Sequence, residues 1–384
     1  MNSIPLFSSA DNRLYTQDTN GAVVSTTIGL VGLPNAGKTT LFNALSTADA
    51  PAESYPFCTV DKNVASVLVP DPILDTLNRL LSPEEVVGAH IEIVDIAGLV
   101  KGASHGEGLG NKFLDDIRSV DAIFHVVRCF IATHVAHVEG ALDPARDIGL
   151  VDTELAMADL EVAQRRLGEE RRKAKGLPGA TSIEVELYSN LESALSSGTM
   201  IRDLNLSDIE TRNIQPDRFL TAKPHIIVAN TDENGISNAA NIGEELENAA
   251  SNRPLILFPA QIETELAQLD ETDRSEFIEE LGLRRSNVPE LIRAGFELLN
   301  LITFYTIARN KLRAWRISRG STAVEGAANI HSDMADGFIR ADVFTASDLI
   351  ELGSVAALRD AGRLRSEGRD YKITDGDVLF VHFK

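Results

Sequence analysis

The residues whose types and spacing could do chemistry begin at Gly32. Gly32-Leu-Pro-Asn35-Ala36-Gly37-Lys38-Thr39 follows an apolar run from Ile28 and precedes Thr40-Leu-Phe-Asn-Ala-Leu45, whose apolar spacing is that of a helix start. Glycine lets the backbone turn its N–H groups inward, and a helix N-terminus adds partial positive charge. In that cradle of Asn35, Ala36, Gly37 and Thr40, Lys38 can reach β- and γ-phosphates and the Thr39 hydroxyl can sit on Mg²⁺. A chance glycine-rich turn is the bland alternative. The strand before the loop and the helix after it favour a nucleotide site.

Two further elements narrow the class. Asp95-Ile-Ala-Gly98 follows the apolar run Ile91–Asp95, placing a carboxylate behind a metal ion and a glycine N–H at a γ-phosphate. Thr59, in Tyr55-Pro-Phe-Cys58-Thr59, lies in the loop between them, where a switch NTPase places a second metal-binding hydroxyl. Two absences matter as much. A guanine clamp, Asn-Lys-x-Asp, is altered to Asn230-Thr231-Asp232-Glu233, which favours adenine. The water-orienting glutamine after Gly98 is replaced by Leu99, which has no polar atom. His105 and His137, each in a glycine-bearing loop, are the candidates to orient water in its place, and each is otherwise an ordinary solvated histidine.

The elements that must position these groups follow from the wider pattern. The chain has 384 residues, 43% hydrophobic and 24% charged, which describes a soluble protein with room for two or three domains. No apolar run approaches the roughly 20 residues needed to cross a bilayer. Cys58 and Cys129 supply no disulfide framework and suit a reducing cytoplasm, although Met1 to Val23 leaves an organellar presequence as an alternative to a flexible extension. A net charge of −21 argues against nonspecific nucleic-acid binding by the whole surface. From Leu301 to Lys384, however, 12 basic and 11 acidic residues nearly balance, leaving the rest of the chain at −22.

Further buried strands are expected at Ala122–Val127, His225–Asn230 and Leu255–Phe258, completing a doubly wound α/β sheet. Asp152 to Ser197 is rich in Ala, Leu, Glu and Arg and is broken at Lys175-Gly-Leu-Pro-Gly179, which predicts two antiparallel helices inserted into that domain. Beyond Leu301 short strands predict a separate α+β module. There Arg309, Lys311, Arg313, Arg316 and Arg319 occur with no acid between Leu298 and Val324, so a basic strand edge for RNA phosphates is one reading. A surface strand balancing an acidic body is the other.

Together, Gly32–Thr39, Tyr55–Thr59, Asp95–Ser104, Gly106–Asn111 and His137-Val-Glu-Gly140 resemble the Obg-like ATPase (YchF) family. Arg313–Arg316, Gly337–Arg340 and Asp375–Val378 extend the resemblance to the end of the chain. The resemblance implies a P-loop G domain at 24–149 and 223–300, with a mostly parallel sheet. It also implies an inserted coiled-coil hairpin at 150–222 and a small β-grasp-like TGS domain at 301–384, after an extension at 1–23. ATP is then the expected substrate, with Asn230, Thr231 and Glu233 at the adenine and Gly98 at the γ-phosphate. Mg²⁺ falls to Thr39, Thr59 and Asp95, and slow hydrolysis to Lys38 and His137. The implied partner is the ribosome, its large subunit or RNA, met through the TGS domain and the hairpin by a cytoplasmic monomer. A GTPase of the same fold, or a ribosome-binding regulator with incidental hydrolysis, are the competing readings. The chain departs from the family where Phe130 is followed by Ile-Ala-Thr-His rather than an acidic run, and at His105 itself.

Overall fold

Apolar runs too long to alternate mark strands buried on both faces of a parallel sheet. Ala122–Arg128 (β5) and His225–Asn230 (β6) are such runs, and every residue in them is buried. In the computed structural model residues 26–47, 64–98, 109–131, 141–174, 183–251, 253–283 and 285–384 are described, 109–111 and 271 by backbone alone. With β1 (Thr27–Val31), β2 (Val64–Leu68), β4 (His90–Asp95) and β7 (Leu255–Phe258), they form one sheet in the order β2-β4-β1-β5-β6-β7. Parallel pairing links β4, β1, β5, β6 and β7 in turn. The chain places β4 on one side of β1 and β5 on the other. A crevice therefore opens beyond the carboxyl end of β1, where the phosphate loop begins.

Helix α1 (Lys38–Thr47) turns Leu41, Phe42, Ala44 and Leu45 to the core, a spacing that keeps one face apolar. Helix α2 is Pro72–Leu81 and α3 is Leu109–Ser119. The expected helix pair is α4 (Pro144–Ala174) and α5 (Ile183–Ser196). Ala163 and Leu167 of α4 pack there with Leu187, Tyr188 and Leu191 of α5. Helix α4 starts earlier than the sequence indicated, because Ile148, Val151 and Leu155 in its first turns bury against the sheet. The turn at Lys175–Gly179 lies outside the described residues.

The described residues divide into two compact units, 26–67 with 92–291, and 68–91 with 292–384. The second unit has the sheet order β11-β10-β12-β8-β9-β3, with β3 Glu85–Val87, β8 Leu301–Ala308, β9 Lys311–Ser318, β10 Phe338–Thr345, β11 Arg365–Glu367 and β12 Asp377–Phe383. The β8–β9 hairpin, the helix Ala323–Ile330 and the parallel β12–β8 pair give the β-grasp-like arrangement. Its core joins Phe304, Trp315, Met334, Phe338 and Leu379.

Residues 68–91 stand in this unit rather than with the rest of 24–149, where the sequence placed them. Strand β3 pairs in parallel with β9. The Asp71 carboxylate caps α2 at the Ile73 and Leu74 amides and also accepts the Tyr305 hydroxyl at 2.8 Å. Contacts between residues this far apart in sequence leave no local signature.

A buried charge cluster roots α4 in the first unit. The Asp152 carboxylate accepts two hydrogen bonds from the Arg253 guanidinium, at 2.9 and 2.8 Å, and one from Arg202 at 3.2 Å. His125 of β5, fully buried beside them, has its pKa lowered to about 4, first by burial and then by Arg253, Arg202 and Lys38, against the opposing pull of Asp152. His225 is likewise held neutral by burial and Arg202, and its Nδ1 donates to the Lys223 carbonyl at 2.9 Å.

A histidine whose folded pKa lies below its unfolded value stabilises the fold above the unfolded pKa and loses that contribution as pH falls. Acidification from about 6.5 to 4 should therefore remove about 3 kcal/mol through His125 alone. Urea unfolding of wild type and His125→Asn across this window checks it. The variant's stability should fall less steeply with acidification, and parallel profiles would contradict the assignment. Because the comparison is a difference, Asp159, whose pKa burial raises to about 6, drops out of it.

Candidate functional site

Lys38 begins α1 with its ammonium turned back over the loop that precedes it. Its Nζ donates to the carbonyls of Gly32 at 3.2 Å and Leu33 at 3.0 Å, and only 7% of the residue is exposed. Burial lowers its pKa to about 8, with Asp95 pulling the other way. The loop reaches this shape through left-handed backbone at Asn35 (φ 64°) and Gly37 (φ 94°). At Gly37 a side chain is excluded twice, because a Cβ would also stand 2.1 Å from Asn230 Nδ2. A Cβ on Gly98 would approach Lys38 Nζ and Pro34 Cα to 3.1 Å each, so Gly98 lies against the same ammonium.

The hydroxyl of Thr39 donates to Asp95 Oδ2 at 2.8 Å. A hydroxyl and a carboxylate in hydrogen-bond contact beside the phosphate loop form a hard-oxygen set that fits Mg²⁺, which takes few protein ligands and completes its octahedron with phosphate and water. No group of three or more His, Cys, Asp or Glu able to hold a metal occurs among the described residues.

Asn230, at the carboxyl end of β6, straps the loop in place. Its Nδ2 donates to the Ala36 carbonyl at 2.9 Å and its Oδ1 accepts from the Ala260 amide at 3.2 Å. One amide hydrogen and one lone pair are thus committed to the protein. Next to it Thr231 is buried, and its Oγ1 has no hydrogen-bond partner among the described residues. Asp232 caps the following short helix by accepting from the Gly235 amide at 2.9 Å.

The structure brings Asn35, Gly37, Lys38, Thr39, Thr40, Asn230, Thr231 and Glu233 to the wall of one cavity of about 680 Å³. Ala36 is buried behind it. Thr59, Leu99, His105 and His137 lie outside the described residues, as does the extension Met1 to Val23. Sequence reasoning missed the cavity's apolar wall of Phe130, Ile262, Phe277 and Leu281. Phe130 follows β5 and Ile262 follows β7, so their place after parallel strands was a usable signal. Phe277 and Leu281 come from a later helical segment that no motif marks.

The basic strand of the second unit is not an edge. Strand β3 is hydrogen-bonded outside β9, and the cations of β9 have partners within the protein. Lys311 pairs with Glu85, Arg313 stacks 4.0 Å from the Trp315 ring centroid, and Arg316 Nη1 donates to the His90 carbonyl at 2.7 Å. Trp315 and Ile317 do share the buried face, as the alternation of a strand requires.

Comparison with known proteins bears on the same features. A family model described as 50S ribosome-binding GTPase matches residues 27–159, and the YchF-GTPase C-terminal model, described as a protein of unknown function, matches 301–384. The chain is 43% identical to a Ribosome-binding ATPase YchF of Pasteurella multocida, over 92% of this chain and 98% of the relative. For that of Bacillus subtilis the identity is 42%, over 93% and 99%. Among solved structures, the Schizosaccharomyces pombe YchF GTPase superposes with a TM-score of 0.83 at 31% identity, covering 93% of this chain and 98% of that one.

If Asn230 holds the loop, its loss should be felt in stability as well as in binding. Asn230→Ala removes both hydrogen bonds and should cost about 2 kcal/mol, at about 1 kcal/mol per bond. Asn230→Asp keeps an acceptor for Ala260 but sets a carboxylate against the Ala36 carbonyl, and should be no better. Urea unfolding together with fluorescent-ATP titration measures both effects. Wild-type stability in both variants would show that the loop is held by other means.

Proposed function

This chain belongs to the YchF family, and from that membership we propose that it is an ATP-hydrolysing switch that associates with ribosomes. The observation that carries the reading is the strapped phosphate loop, with Lys38 and the Thr39–Asp95 pair at its mouth. Lys38 would exchange its two carbonyl partners for the β- and γ-phosphates and stabilise charge that develops between them. Thr39 and Thr59 would hold Mg²⁺ with Asp95 behind. When bound, that ion neutralises charge on the phosphate oxygens. Gly98 would offer its amide to the γ-phosphate.

On the base side, Phe130, Ile262, Phe277 and Leu281 offer apolar surface to a planar ring. The buried, unpartnered Thr231 hydroxyl is the polar group a base edge would satisfy, with Glu233 and the remaining N–H of Asn230 beside it. The lysine of a guanine clamp is absent, and its place in the motif is held by Thr231. Adenine is therefore the proposed base, although relatives carry both ATPase and GTPase names. His137 is proposed to orient the attacking water, a role that Leu99 cannot fill. The partner surface is proposed to lie on the large ribosomal subunit, and the working form to be a cytoplasmic monomer.

Titration with fluorescent ATP and GTP tests the base assignment, and tighter GTP binding would overturn it. The same titration run with ATP against pH tests Lys38. Phosphates favour the ammonium, so affinity should be full below about pH 8 and weaken above it, about tenfold by pH 9. Single-turnover hydrolysis tests the histidine. His137→Ala should slow turnover and leave ATP affinity near normal, whereas an unchanged rate removes His137 from the reaction.

A further inference from the structure

The first unit carries a second large cleft, apart from the nucleotide cavity. Its volume is about 700 Å³, and its wall is drawn from residues 118–121, just before β5, and 211–224, just before β6. It therefore opens at the amino ends of these strands. The nucleotide cavity lies at the carboxyl end of β6, whose six residues separate the two by roughly 20 Å. Four cations line the cleft: Arg118, Arg212, Arg218 and Lys223, against the single carboxylate of Asp121. In a chain with net charge −21, this is a local inversion of sign.

The cations differ in how far the protein already engages them. The Lys223 ammonium donates to the carbonyls of Arg118, at 3.2 Å, and Val120, and so ties the two walls together. Arg118 pairs with the exposed Asp115 at 3.1 Å. Asp121 is committed to Thr27, accepting from its amide at 2.9 Å. Arg212 and Arg218 are exposed and have no ion-pair partner among the described residues. Two free guanidiniums over two tethered cations make a concave positive surface on an otherwise repelling body. Guanidinium forks suit the paired oxygens of phosphodiesters.

We propose that this cleft seats the phosphate backbone of RNA, with Arg212 and Arg218 as the contacting residues and Arg118 and Lys223 as the fixed positive floor. The proposal deepens the ribosome-association reading and rests on it only for the source of the RNA. It moves the RNA contact away from the Arg313–Arg316 strand, whose cations have internal partners. The distance between the cleft and the phosphate loop lets RNA and ATP bind together.

The test uses the full chain and a labelled single-stranded oligouridine in fluorescence anisotropy at stepped KCl. Arg212→Glu with Arg218→Glu should weaken RNA binding at least tenfold. The slope of log K against log [KCl] should become shallower by about 1.4, near 0.7 for each lost phosphate contact. Arg212→Gln with Arg218→Gln should give an intermediate loss. ATP affinity should stay at the wild-type value in both, which also reports that they fold.

Arg293→Glu with Arg359→Glu makes the same charge change at exposed arginines elsewhere and should bind RNA nearly as wild type does. Any of four results overturns the proposal: no RNA binding by wild type, equal binding by the cleft variant, equal loss in the control, or displacement of RNA by ATP. Binding of tripolyphosphate in the cleft without RNA would also reject it, in favour of a small-anion site. Ribosome cosedimentation separates the two claims. RNA binding through the cleft with no cosedimentation by wild type would leave the cleft standing and remove the ribosome as its partner.

Discussion

The carboxamide of Asn230 bridges the Ala36 carbonyl and the Ala260 amide, and the geometry of the nucleotide cavity depends on that bridge. A phosphate loop points its N–H groups at a ligand, so its own carbonyls must find partners elsewhere. Gly32 and Leu33 give theirs to Lys38, and Ala36 gives its own to Asn230. The left-handed turns at Asn35 and Gly37 persist because these contacts over-determine them. An amide side chain can donate and accept from one planar group, and at the end of β6 the Asn230 carboxamide meets both the loop and the first residue of the helix after β7. The loop is thereby shaped before any ligand arrives, which reduces the ordering cost of binding.

What the sequence made legible is what local chemistry specifies. The phosphate loop, the buried strands β4 to β7 and the long helix pair each follow from a run of residues read in one window. Asp95 and Gly98 fell beside Thr39 and Lys38 because a motif fixes their distance from the end of a strand. The misreadings concern pairs that no window contains. Strand β3 looked like part of the nucleotide domain because nothing near Glu85 announces β9. Covering β9 then changed the meaning of its arginines, which the sequence could count but not assign to partners. Phe277 and Leu281 reach the cavity from a mostly polar segment whose register only the packed structure fixes.

Net charge bounded the function less tightly than it first suggested. A chain at −21 repels polyanions at long range, yet screening confines that repulsion to about 10 Å or less in physiological salt. Within that distance the arrangement of a few cations decides the outcome. The same residue type serves opposite ends here: Arg316 and Arg253 satisfy internal acceptors, whereas Arg212 and Arg218 face solvent. Counting arginines along β9 overvalued residues of the first kind.

The root of α4 shows why the helical insertion cannot be treated as a loose appendage. Asp152 sits between two guanidiniums, Arg253 from the segment before β7 and Arg202 from the return after α5, with two neutral histidines packed around them. Moving α4 away from the sheet would strand a buried cation on each side, a cost of several kcal/mol that no surface contact along the hairpin could offset. The base of the insertion is therefore fixed to the strands that carry the nucleotide cavity. Any motion of the hairpin relative to the sheet must be bending beyond this root, where α4 and α5 hold each other through an apolar cluster that includes Ala163, Leu167, Leu187, Tyr188 and Leu191.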